Sequence, residues 1–179
     1  MYGFNSAENM TREHILAAEK KYKIPPAQSF IADTILLNFL DSIKATHPII
    51  AKDHRQGLQA LYYNEQGELI SFHINCYASG FPNLKWNIDK VMETFPPKTK
   101  APLDSILFLE KHLSLIPRSL HGSIMPKEHK KYTILIYWSY LMGRQSKHLL
   151  KTIRKNLAKG NASEIDIIYI NSDNLLMHN

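Results

Sequence analysis

TILIYWSYLMGRQSKHLLKTIRKNL, Thr133 to Leu157, changes its hydrophobic period once, and that change decides the fold class. From Tyr132 to Trp138 almost every residue is apolar, as in a strand covered on both faces. The run breaks at Ser139, and the chain turns around Gly143. Beyond the turn, Leu149, Leu150, Ile153 and Leu157 fall at helical spacing, a single apolar stripe in a basic segment. Gly160 is placed to stop that helix, and 165–170 is a second apolar run. Strand, helix and strand make one βαβ unit over 132–174. Such a unit requires parallel strands and a right-handed crossover. The expected class is α/β, with these two strands central in a mixed sheet.

Upstream, 58–63 is apolar and aromatic, Asn64-Glu65-Gln66-Gly67 has turn chemistry, and 69–77 alternates. The spacing puts Ile70, Phe72, Ile74 and Cys76 on one face and Ser71, His73, Asn75 and Tyr77 on the other. A hairpin is expected over 58–77, with Cys76 toward the core. The N-terminal part, 11–45, reads as a helical extension. Thr11 caps a first helix running to about Tyr22, and Pro25-Pro26 breaks it. Ser29 caps a second helix over 29–45, where Ile31, Ile35, Phe39 and Ile43 recur four apart beside Leu36 and Leu40. Pro102 suits a first helical position. Leu103, Ile106, Leu107, Leu109 and Leu113 are therefore expected on a helix over 102–115. Residues 117–130 form a basic connector, and one domain over 1–179 is expected.

The chain has 179 residues, 44% hydrophobic and 21% charged, enough for a sizeable core. Its one cysteine, Cys76, excludes an intramolecular disulfide and a cysteine-rich zinc site. Nine histidines are scattered, none at a metal-ligand spacing such as HExxH, so no metal and no cofactor is expected. No apolar run approaches the ~20 residues of a membrane span. No cationic start followed by an apolar block is visible, so Met1 is either a native start or one that follows removal of a leader. The net charge of +6 favours anionic partners. Nucleic acid is disfavoured, because the basic helix carries no interleaved aromatics to stack on bases.

The unit 132–174 resembles the active-site half of the thioredoxin superfamily. That family's pattern is an apolar strand ending Phe-Trp-Ala, two residues, then Cys-Gly-Pro-Cys at the mouth of a helix. Here the strand ends Tyr137-Trp138-Ser139, and Met142-Gly143-Arg144-Gln145 follows Tyr140 and Leu141. The run IDIIYINSDN is similar to the family's second parallel strand, with Asn171 and Asp173 as its terminal Asn-x-Asp. The family continues with an antiparallel hairpin and a last helix. In this chain, segments similar to them, 58–69 and 102–113, come earlier, which implies a circularly permuted order. The redox chemistry does not carry over. Disulfide exchange needs a thiolate, whereas Met142 and Gln145 stand where the resemblance places the cysteines. Ile136 stands at the family's buried acid, and Gln59, preceded by Gly57, at its cis-proline. MGRQSK and FHINCYASGFPNLKWN are also similar to an uncharacterised bacterial group with exported lipoproteins among its members. That resemblance makes a cell-envelope location the alternative to a cytoplasmic one.

The resemblance implies a redox-inactive binding protein for a protein, peptide or small anionic ligand. The candidate site is the helix N-terminus and its turn: Trp138, Met142, Gly143, Arg144, Gln145, Ser146 and Lys147. Backbone N–H groups at a helix start favour an anion, and water can equally satisfy them. Two alternatives remain. One is a cysteine-dependent enzyme using Cys76 with His54 or His73, which needs a base at the thiol. The other is anion, nucleic-acid or acidic-partner binding through the basic helix 144–159, whose polar side is otherwise a solvated face.

Overall fold

The computed structural model of the chain describes residues 5–6, 10–80, 83–116, 118–122 and 130–177. Expectations for Phe81, Pro82 and residues 123–129 of the basic connector lie outside them. Six α-helices and six strands are found among the described residues, with four short 3₁₀ turns between them. In chain order the helices and strands are α1 Arg12–Tyr22, β1 Ser29–Ile31, α2 Thr34–Ile43, α3 Pro48–His54, β2 Gln59–Asn64 and β3 Leu69–Ile74. These are followed by α4 Leu109–Ser114, β4 Arg118–Ser119, β5 Tyr132–Trp138, α5 Gly143–Leu157, β6 Ile165–Asn171 and α6 Asp173–Met177. All six strands join one mixed sheet in the order β3-β2-β5-β6-β1-β4.

The βαβ reading holds in register. Strands β5 and β6 are parallel neighbours, from Tyr132 beside Ile165 to Trp138 beside Asn171. The hairpin joins the same sheet, with β2 antiparallel to β5 over its whole length. Side chains of β5 alternate between two cores, which is why the whole strand is apolar. Ile134, Ile136 and Trp138 pack with α1, α5 and the segment 84–95. Leu135 and Tyr137 pack with α2, α4 and α6 on the other face. Helix α5 buries Leu149, Leu150 and Ile153, with Leu157 half-buried at the rim.

The hairpin turn follows its sequence. Asn64 Oδ1 accepts the N–H groups of Gln66 and Glu68, and Gly67 sits at φ +76°. That conformation favours glycine, and the Gly67 carbonyl accepts the first N–H of α4 at 2.9 Å.

Four expectations are corrected. First, 29–31 is a strand, not the start of a helix. Its backbone pairs parallel to Tyr169–Asn171 of β6. Asp33 rather than Ser29 caps α2, accepting Ile35 N–H at 2.9 Å. A three-residue strand is too short to show a period, and both residues are good caps. Second, only Leu109–Ser114 of the expected 102–115 helix is helical. Asp104 Oδ1 accepts the N–H groups of Ile106 and Leu107, closing a turn there, and Leu103 and Phe108 are exposed.

Third, the faces of β3 are not as alternation gave them. The pairing with β2 shifts register between Tyr62 and Tyr63, and Ile70 packs with the core opposite Phe72 and Ile74. A bulge of this kind inserts one residue and reverses the phase. Ser71 and His73 are buried as well, because Trp86, Val91, Met92 and Phe95 lie in the core on their side. Fourth, β3 ends at Ile74. Asn75–Tyr77 is a 3₁₀ turn, so Cys76 does not reach the core and is exposed.

Candidate functional site

The turn between β5 and α5 is held by its own chain. Asp173, fully buried at the start of α6, accepts four hydrogen bonds. Its Oδ1 takes Ser139 Oγ–H at 2.5 Å and Leu141 N–H at 3.0 Å. Its Oδ2 takes Tyr140 N–H at 3.0 Å and one Asn171 Nδ2–H at 2.7 Å. Met142 N–H donates to Ser139 Oγ, and Ser146 Oγ bridges the backbone N–H and carbonyl of Ser139. The anion at this turn is therefore the chain's own carboxylate. Asn5 closes the turn from outside, donating to the carbonyls of Tyr140 and Leu141.

The candidate residues divide accordingly. Trp138 is fully buried, with Tyr22 edge-on at 5.8 Å, and Gly143 gives its carbonyl to Tyr22 Oη–H at 2.8 Å. Gln145 is buried and accepts Leu84 N–H at 3.3 Å. Ser146 is buried in the turn, whereas Arg144 and Lys147 are exposed, Arg144 donating to Asn83 Oδ1 at 2.9 Å. Of the seven, Met142 alone lines the cleft next to the turn.

That cleft, about 590 Å³, lies where the C-terminal end of β5 meets the loop before β2. Met142, Gly57 and Leu176 form part of its wall, and Gln56 and Asn75 supply amides. Lys44, Lys52 and Arg55 bring three cations from the end of α2 and from α3. Arg55 also pairs with Asp41. Lys44 and Lys52 are exposed and form no ion pair among the described residues. No local pattern marked these three residues, because α2 and α3 reach the cleft only through the tertiary fold. Gly57 lets the Leu176 side chain approach closely. A Cβ on it would stand 2.8 Å from Leu176 Cδ2, and its carbonyl accepts Ser172 Oγ–H at 2.5 Å. A smaller cavity of about 320 Å³ shares Met142 and contains Cys76 and Leu84.

The bases considered for Cys76 are engaged elsewhere. Cys76 Sγ–H donates to Gln56 Oε1 at 3.0 Å. His54 Nε2 lies 2.7 Å from Asp104 Oδ2, and its ring stacks on Phe72 at 4.6 Å. His73 lies 3.1 Å from Ser71 Oγ, and burial and then Lys100 lower its pKa to about 4.

A buried polar chain on the α2/α4 face was not legible in the sequence. His112 Nδ1 is 2.8 Å from Tyr63 Oη, and its Nε2 is 2.5 Å from Tyr137 Oη. Tyr63 Oη–H donates to the Leu107 carbonyl, so the phenol oxygen accepts from His112 Nδ1–H. The other ring nitrogen is left to accept from Tyr137. The imidazole is therefore neutral. Burial, with His54 nearby, lowers the His112 pKa to about 3. Burial raises the Asp53 carboxyl above its usual range, against the opposing charges of Lys52 and His54. Burial also pushes Asp104 up, but hydrogen bonding and charge from His54, with the Leu107 and Ile106 amides, outweigh it and hold Asp104 below that range.

Among the described residues, no three His, Cys, Asp or Glu side chains gather as metal ligands, and no helix is long and apolar enough to cross a membrane. The fold and cleft define a mixed α/β protein with a cation-lined cleft at the ends of its parallel strands. Comparison of the chain with protein-family models, with curated proteins and with solved structures finds no match in any of the three.

Proposed function

We propose that this chain is a non-catalytic binding protein of permuted thioredoxin-like architecture, and that its cleft beside Met142 takes a small anionic ligand or a peptide carboxylate. The observation that carries the reading is the cleft's composition. The residue standing where the resemblance places an attacking cysteine is a thioether, and it shares a cavity with Lys44, Lys52 and Arg55. The antiparallel junction of β2 with β5 supports the permuted order. Gly57, two residues before the family's cis-proline position, lines the same cleft as Met142, which supports the equivalence of the two faces. The second thiol position is used for packing, since Gln145 is buried and hydrogen-bonds Leu84. Concave sites with a few convergent polar groups on an apolar wall are the usual form of small-ligand pockets.

The test is a thermal-shift titration with a panel of small carboxylates, phosphates and C-terminal peptides, using the wild type and the Lys44→Glu/Lys52→Glu variant. A ligand at about 100 times its Kd stabilises by about 2.7 kcal/mol, and the variant should lose that gain. A ligand whose binding is unchanged in the variant places the site elsewhere. Insulin reduction with a coupled reductase should stay at background. Turnover comparable to a thioredoxin would overturn the redox-inactive part of the reading.

A further inference from the structure

We propose that the groove between α1 and α5 docks an acidic amphipathic helical peptide, at a site separate from the Met142 cleft. The groove, about 500 Å³, is walled by Lys21 and Lys23 from the end of α1 and its cap and by Lys147, Lys151 and Lys155 from α5. All five are exposed and form no ion pair among the described residues. Lys100, Lys130, Lys131 and Lys159 each have a carboxylate partner. Other described lysines, Lys44 and Lys52 of the Met142 cleft among them, also form no ion pair among the described residues, and what marks this groove is that five such lysines line it together. Arg154 fixes the two walls together. Its guanidinium donates to the carbonyls of Tyr22 and Lys23, the latter at 3.2 Å. Exposed Ala158, with the buried Leu150 beneath, and the aliphatic stems of the lysines form the apolar part of the groove. A neighbouring cavity of about 320 Å³ shares Lys147 and Lys151 and adds Arg144, which extends the basic strip toward the start of α5.

The spacing of these charges selects the partner. Lys147, Lys151 and Lys155 recur every fourth residue, about 6 Å apart along the helix. A helix laid alongside meets that row with carboxylates at its own i, i+4 and i+8 positions. An apolar side chain between them covers the apolar part of the groove, and this is the usual helix-in-groove mode. Nucleic acid fits less well, because the aromatic residue lining the groove among the described residues, Tyr22, is buried edge-on against Trp138 and offers no stacking face. An anionic membrane surface fits less well too. The large apolar side chains exposed among the described residues, such as Ile35, Ile49 and Phe108, are on neither α1 nor α5, so nothing there inserts.

The test uses the full chain and a fluorescein-labelled synthetic peptide about four helical turns long. It carries Glu at i, i+4 and i+8 and Leu at the intervening inward positions. Fluorescence anisotropy should show binding that weakens as salt is raised. Lys147→Glu/Lys151→Glu should weaken it by about tenfold or more, by adding like-charge repulsion. Lys147→Ala/Lys151→Ala, which favours the helix by propensity, should also weaken it while the melting temperature holds. Lys44→Glu/Lys52→Glu should leave it unchanged, which separates this groove from the Met142 cleft. The proposal is overturned if either α5 variant that melts like the wild type binds the peptide as the wild type does. It is equally overturned if a leucine-free polyglutamate, a single-stranded oligonucleotide or a phosphatidylserine vesicle of matched charge binds as tightly as the peptide.

Discussion

Replacing Asp173 with alanine removes one carboxylate and strands four donors: Ser139 Oγ–H, the N–H groups of Tyr140 and Leu141, and one N–H of Asn171. Ser139 and Asn171 are buried, and Tyr140 and Leu141 are half-buried. A buried donor left without a partner costs about 1–3 kcal/mol, and bonds to charged groups fall at the upper end. Tyr140 and Leu141 are near enough to the surface for water to replace part of the loss, so the four donors together should lose about 3–5 kcal/mol. For a chain of this length each kcal/mol lowers the melting temperature by about 2–4 °C, so the variant should melt roughly 10 °C lower. Urea denaturation should show the midpoint moving with no change in slope. Asp173→Asn should lie between wild type and alanine. It keeps an acceptor for Ser139 and Leu141 but turns an NH₂ group toward the donors of Tyr140 and Asn171. Adding Asn171→Ala to Asp173→Ala should cost little more, because the two side chains act as one unit. Inorganic sulfate should raise the melting temperature of the alanine variant more than that of the wild type, since the vacated turn exposes backbone donors. A loss below about 1 kcal/mol for Asp173→Ala would refute the carboxylate as the organiser of this turn.

Three further outcomes are expected. Ile153→Ala, fully buried under the sheet, should lose about 2–4 kcal/mol in urea unfolding by leaving a cavity, and a near-neutral result would mean α5 packs through another face. His112 and His73 have folded pKa values of about 3 and about 4, below the ordinary 6.5. The unfolded chain therefore binds these two protons first as pH falls. Stability from this source is full above the ordinary histidine range and falls by about 1.4 kcal/mol per pH unit for each group toward the folded values. Urea midpoints at neutral and mildly acidic pH measure this, and equal midpoints would show that these histidines titrate in the native state. Cys76, exposed and bonded to Gln56, should react with a thiol reagent in the native protein at a rate near that of the unfolded chain, and strong protection would contradict its position in the 3₁₀ turn.

The sequence by itself determined the elements whose local pattern is long and whose burial is unconditional. The runs 132–138 and 165–170 are largely apolar because both sheet faces are covered, and a helix stripe between them admits only a parallel pairing. The Asn64–Gly67 turn and the Thr11 cap were legible because each is a local hydrogen-bond pattern. Tertiary structure decided the rest. Ser29–Ile31 is a strand because β6 offers it an edge, and no three-residue pattern could announce that. The bulge that sends Ile70 to the other core arises in the pairing with β2, not in the alternation of β3 itself. Cys76 is exposed because the strand ends at Ile74, three residues earlier than alternation implied. The candidate site divides in the same way. The turn Ser139–Ser146 was visible as a turn, but its occupant, Asp173, lies 34 positions beyond Ser139. The cations of the Met142 cleft come from helices α2 and α3, far away in the chain. A hydrogen bond or cavity wall formed between distant segments leaves no periodicity in either one, so only the folded chain brings those side chains together.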